Sequence, residues 1–146
     1  MRVYTIGFTQ KSAREFFDKI KSNNIGLVLD IRLNNVSQLA GFAKGKDLQY
    51  FLKEICNCQY IHDTEFAPTK EILANYRSNN IDWNVYTEKF TKLAQSRALD
   101  KRFKNLYGNY QNVCLLCTEP TPINCHRRLV AELLKEKYSD IEVVHI

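Results

Sequence analysis

Within twelve positions near the C-terminus lie Cys117, Glu119, Cys125, His126, Arg127 and Arg128. Together these side chains can attack, transfer protons and hold anions. A thiol beside an imidazole is a potential nucleophile, a carboxylate can act as general acid or base, and guanidinium groups grip phosphate or carboxylate through paired hydrogen bonds. The run reads CLLCTEPTPINCHRRLVAELLKEKY. Its spacing predicts an apolar strand from Val113 to Cys117, a turn bearing Glu119, Pro120 and Pro122, and a helix from about Asn124 to Tyr138. A strand end meeting a helix N-terminus is where α/β proteins place ligands and where anions are drawn. The run marks a site without naming a reaction.

The elements that must position this site alternate along the chain. Val3 to Ile6 reads as a first strand. Ser12 and Glu15 form a capping box, and Phe16, Phe17 and Ile20 give the next helix one apolar stripe. Gly26 closes that connection. Leu27 to Ile31 is an apolar run broken by Asp30, as buried parallel strands are. The loop RLNNVSQLAGFAKG is long for a bare connection, which points to function. Asp47 to Cys56 reads as a helix with Leu48, Phe51, Leu52 and Ile55 inward, and Gln59 to His62 as a third strand. Pro68 can open a helix near Lys70 to Arg77. Asp82 caps another, with Trp83, Tyr86, Phe90 and Leu93 at helical spacing. Arg97 to Tyr110 reads ambiguously, with a short helix as one option, and Ile141 to Ile146 is a fifth strand. This alternation predicts a single α/β domain over residues 1–146: a mostly parallel five-stranded sheet with helices on both faces. Right-handed crossovers then put all strand C-termini on one rim. Strand order is not readable.

Four segments deliver polar side chains to that rim. The candidate catalytic residues are Asp30, Arg32, Glu65, Cys117, Glu119 and His126. The candidate anion-binding residues are Arg32, Arg127, Thr9 and Asn35. Each has a plainer reading beside it. Asp30 needs a partner wherever it is buried, so a structural ion pair is an equal alternative to catalysis. His62 reads as a satisfied strand-end histidine, and Glu65 as a solvated carboxylate ahead of a helix. Cys117 is either a reactive thiol or a small apolar filler. For Cys125 the filler reading leads.

Length and composition set further bounds. A chain of 146 residues, 45% hydrophobic and 25% charged, is that of an ordinary globular domain. The net charge of +5 suits a phosphate-bearing partner but is modest for a dedicated nucleic-acid binder. No apolar run approaches a membrane span. The start, MRVYTIGF, lacks a signal-peptide core. A cytoplasmic protein with reduced cysteines is therefore expected, with no membrane association. Cys114 and Cys117 spell C-x-x-C, but on a strand they face opposite ways. A zinc site from Cys117, Cys125, His126 and His62 is a minor option, disfavoured by its wide spacing and by the adjacent arginines, so no metal is expected. No dinucleotide or phosphate-loop motif occurs, and no cofactor is expected. Lys89, Lys92, Arg97, Lys101, Arg102 and Lys104, near Tyr107 and Tyr110, can follow a nucleic-acid backbone. A solvated helix face is the commoner explanation.

YTIGFT at the start, DIRLNN followed by AGF, YIH with a later acidic residue and Pro68, and CLLCTEPTPINCHRRLVAELL before VVHI resemble the family called domain of unknown function 488. The resemblance covers nearly the whole chain and implies a single α/β domain. It implies shared motifs at Asp30 and Arg32, at Cys117 and Glu119, and at Cys125, His126 and Arg127. Many members read Gly-His-Ser after the first strand. This chain has Gly7, Phe8 and Thr9, so any role of that histidine is absent or relocated.

The first functional expectation is an enzyme acting on a phosphate-bearing, nucleotide or nucleic-acid substrate at the rim. The alternative is a non-catalytic module binding nucleic acid or protein. A third is thiol-dependent redox or sulfur chemistry at Cys117 or Cys125.

Overall fold

Apolar runs too short for helices pair side by side; the three inner strands are buried almost throughout and the two edge strands only in part. These runs form β1 (Arg2–Gly7), β2 (Leu27–Asp30), β3 (Gln59–His62), β4 (Asn112–Cys117) and β5 (Glu142–His145). A computed structural model describes residues 1–36 and 39–146. Ser37 and Gln38, part of the long loop expected after the second strand, lie outside the described residues. The strand order is β3-β2-β4-β1-β5 and every neighbouring pair is parallel. The sheet is thus wholly parallel rather than mostly so.

The helices are α1 (Ala13–Ser22), α2 (Gly45–Cys56), α3 (Lys70–Arg77), α4 (Trp83–Ser96), α5 (Leu99–Tyr107) and α6 (His126–Lys137). Their starts follow local chemistry. The Ser12 hydroxyl accepts from the Glu15 amide, and Asp82 accepts from Val85. Thr69, rather than Pro68, caps α3 by accepting from Ile72. The helix α2 begins ahead of Asp47 and ends at Asn57, whose φ of 51° lets its amide reach the Leu52 and Lys53 carbonyls. The ambiguous stretch after Arg97 folds as α5, burying Leu99, Phe103 and Tyr107 at helical spacing.

Two cores flank the sheet. Phe16, Phe17 and Ile20 of α1, with Leu48 and Leu52 of α2, pack on Tyr4, Ile6, Val28, Cys114 and Leu116. On the other face Phe90, Phe103, Val130 and Leu134 pack on Val3, Leu27, Leu29, Val113 and Leu115. Cys114 therefore belongs to one face, while Cys117 meets α6 on the other. The chain inserts β4 between β2 and β1. The connections leaving β2 and β4 go to opposite faces, so the loops at these neighbouring strand ends diverge. Such a switch point opens a crevice at the C-terminal rim.

The loop after β4 also folds over the end of β1. The Thr9 amide and hydroxyl both donate to the Thr118 carbonyl, at 3.3 and 2.7 Å. A Cβ on Gly7 would lie 1.7 Å from the Glu119 carbonyl oxygen, so only glycine admits this crossing. Gly7→Ala is expected to cost about 1–3 kcal/mol and to displace the Glu119 loop. Denaturant unfolding, with amide chemical shifts of residues 117–119, checks both effects.

Candidate functional site

Beneath the crevice lies Asp30, which ends a fully buried strand and must find cationic partners there. Arg32, two residues on, supplies them. Its Nε donates to Asp30 Oδ1 at 2.8 Å and its Nη2 to Oδ2 at 2.6 Å. The Arg32 amide and the Tyr60 hydroxyl donate to the same carboxylate, at 3.1 and 2.6 Å. Arg32 Nη2 also donates to the Ala43 carbonyl at 2.8 Å, and the guanidinium lies over the Phe8 ring. Its Nη1 is buried and has no hydrogen-bond partner among the described residues. Burial, and then the Asp30 charge, push the Tyr60 hydroxyl upward, so it stays a donor.

The second half is built where β4 ends and α6 begins. His126 Nε2 lies 2.8 Å from the Ile31 carbonyl. A carbonyl only accepts, so Nε2 carries a proton, and in the neutral ring Nδ1 presents a lone pair. Nδ1 faces Cys117 Sγ at 3.6 Å. The Cys117 thiol is held below the ordinary cysteine value. The largest cause is the hydrogen bond from Cys125, which outweighs burial, and Arg127 with the Thr118 and Glu119 amides adds to it. Cys125 shifts the opposite way through the same bond and through burial. The shared hydrogen bond therefore favours the thiolate on Cys117 over that on Cys125. Arg127, buried, donates from Nη1 to the Glu119 carbonyl at 2.6 Å and approaches Cys125 Sγ at 3.5 Å.

Both halves open on one cavity of about 800 Å³, within the usual size of small-molecule sites. Arg32, Asn35, Cys117, Glu119, Cys125 and His126 all line it. Asp30 does not, since its oxygens are occupied beneath Arg32. Arg127 sits behind the wall, and the Thr9 hydroxyl is turned to Thr118. Glu65 is outside the cavity: half-exposed, it pairs with Arg97 Nε at 3.7 Å. His62 donates from Nε2 to the Arg32 carbonyl at 2.7 Å and so braces the loop.

Lys70, Leu73, Ala74 and Arg77 also line the cavity. Their i, i+3, i+4, i+7 spacing is one face of α3. That spacing was visible in the sequence, but nothing there said which way the face turned. Tyr60 was likewise missed as the second donor to Asp30.

Most of the basic cluster on α4 and α5 is engaged within the fold. Lys92 pairs with Glu88, Lys104 with Asp140, Arg97 with Glu65 and Arg102 with Asp63. Asp63 also accepts from the Tyr107 hydroxyl at 2.7 Å. Burial pushes the Asp63 carboxyl up, but the Arg102 and Tyr107 hydrogen bonds outweigh it and the net shift is downward. Stability from Asp63 is therefore complete above its unfolded value, near ~3.9, and lost as pH falls through the lower folded value. Asp63→Asn is expected to cost about 1–2 kcal/mol at neutral pH. It should also flatten the acid limb of a thermal-melt series against pH.

An open, wholly parallel α/β domain with a thiol–imidazole pair and a clamped arginine at its switch-point crevice is the class that fold and site define. The family model for Domain of unknown function DUF488 matches residues 12–134, and the chain belongs to that family. Comparison with curated proteins and with solved structures found no match. Among the described residues, no helix is long and apolar enough to cross a membrane.

Proposed function

We propose that the protein is an enzyme acting on a phosphate-bearing or nucleotide-like substrate in the rim cavity. The observation that carries this reading is the convergence of Arg32, Cys117, Glu119 and His126 on one opening from three separate segments. Arg32 holds the anion from a guanidinium fixed in place by Asp30. Lys70 and Arg77 add positive charge along α3, and the half-buried Tyr76 offers aromatic surface for a base. Glu119, exposed at the rim, serves as general acid or base. The reactive group comes from the Cys117, Cys125 and His126 cluster. A cytoplasmic setting is part of the proposal, supported by five free thiols.

Calorimetry with inorganic phosphate and nucleoside monophosphates tests it. Binding is expected in the native chain and should weaken about tenfold in Lys70→Ala/Arg77→Ala, which removes cations without touching the buried pair. Binding indifferent to that double change would refute the assignment. So would binding confined to polynucleotides and lost with Lys92, Lys101 and Lys104.

A further inference from the structure

We propose that Cys117, Cys125 and His126 form a zinc site whose fourth position opens into the rim cavity. Their donor atoms, two Sγ and one Nδ1, all lie within 4.8 Å of one another, and all three residues are buried. Zinc bound tetrahedrally at about 2.3 Å to sulfur and 2.0–2.1 Å to nitrogen needs donors about 3.5–3.8 Å apart. The Cys117–His126 separation of 3.6 Å already meets this.

The histidine is prepared as a ligand. Its Nε2–H is committed to the Ile31 carbonyl, which fixes the ring and leaves the Nδ1 lone pair toward the thiols. Ligating histidines almost always have such an outer partner. The arginines next door were the sequence-level objection, and the geometry answers it. Arg128 turns away, with its Nε 3.5 Å from Glu132 and its guanidinium over Trp83. Arg127 directs Nη1 at Cys125 Sγ, where an N–H donor supports a coordinated thiolate. Two thiolates and Zn²⁺ sum to zero, so Arg127 leaves the site one positive charge, which suits an anion in the cavity.

Thiolates select zinc over magnesium or calcium. Three protein ligands with the remaining side open is the pattern of a catalytic rather than a structural site. His62 does not complete the set, since it is bonded to Arg32. With the ion bound, Cys117 acts as a ligand and is not itself the nucleophile. The inference concerns the cavity of the proposed function but rests on different atoms from the anion site.

The test is cobalt titration of the full chain, reduced and freed of metal with a chelator. One equivalent of Co²⁺ should give a thiolate-to-cobalt charge-transfer band and the intense visible absorption of a tetrahedral ion, both abolished by one equivalent of Zn²⁺. The signal should be lost in Cys117→Ser, Cys125→Ser and His126→Gln and kept in Cys56→Ser. A second readout needs no variant: Zn²⁺ should slow alkylation of Cys117 and Cys125, located by peptide mass spectrometry, and leave Cys56 unchanged. No charge-transfer band, or no protection of those two thiols in the wild-type chain, overturns the site. Phosphate titration of the metal-free chain is scored separately. Phosphate binding without cobalt binding removes only the metal, and the reverse removes only the anion assignment.

Discussion

Asp30→Ala is expected to lower stability by about 3–5 kcal/mol, the cost of leaving a buried charge without its partner. Arg32 is almost wholly buried, and its Nε and Nη2 both point at the carboxylate that the change removes. The Tyr60 hydroxyl would lose its acceptor as well. Asp30→Asn keeps the shape but not the charge and should cost nearly as much. The double change Asp30→Leu/Arg32→Met should recover much of the loss, because an apolar pair of similar volume leaves no charge stranded. Urea unfolding of the three variants measures this. A loss below about 1 kcal/mol in Asp30→Ala, the range of exposed pairs, would mean the clamp is solvated.

Cys125→Ala is expected to raise the pH at which Cys117 ionises. The hydrogen bond from Cys125 is the largest influence holding the Cys117 thiol down, and burial opposes it. With that bond gone burial is opposed only by Arg127 and the Thr118 and Glu119 amides, and at any pH below the folded value each unit of rise cuts the thiolate fraction about tenfold. The check is the alkylation rate of Cys117 against pH, followed by mass spectrometry in metal-free protein. An unchanged or lower midpoint would contradict the account. A thiol held below its unfolded value, near ~8.5, contributes stability that is complete above that value. That contribution is lost as pH falls through the folded value. In Cys125→Ala this gain with rising pH should shrink.

The elements themselves were largely legible. The Ser12 and Asp82 caps, the apolar strand runs and the α3 segment arise from chemistry within a few residues, and they stand as read. The rim was legible too, because alternation alone sends strand C-termini to one side. What the rim residues touch was not. Glu65 is drawn to Arg97 and Asp63 to Arg102, partners 32 and 39 positions away. No local pattern encodes such pairs. Arg127 looked like an anion ligand from its helix-start position. The rotation of α6 instead turns it behind the wall onto the Glu119 carbonyl. The insertion of β4 between β2 and β1 is a matter of long-range pairing, and it decides which loops share the crevice.

The most direct test of that shared crevice is an amide and guanidinium NMR titration of the chain with inorganic phosphate. The account predicts the largest shifts at the Arg32 side chain and at residues 117–119 and 124–126, which lie on separate segments of the chain and move together with one midpoint. Shifts confined to the basic helices α4 and α5, or none at Arg32, would contradict it.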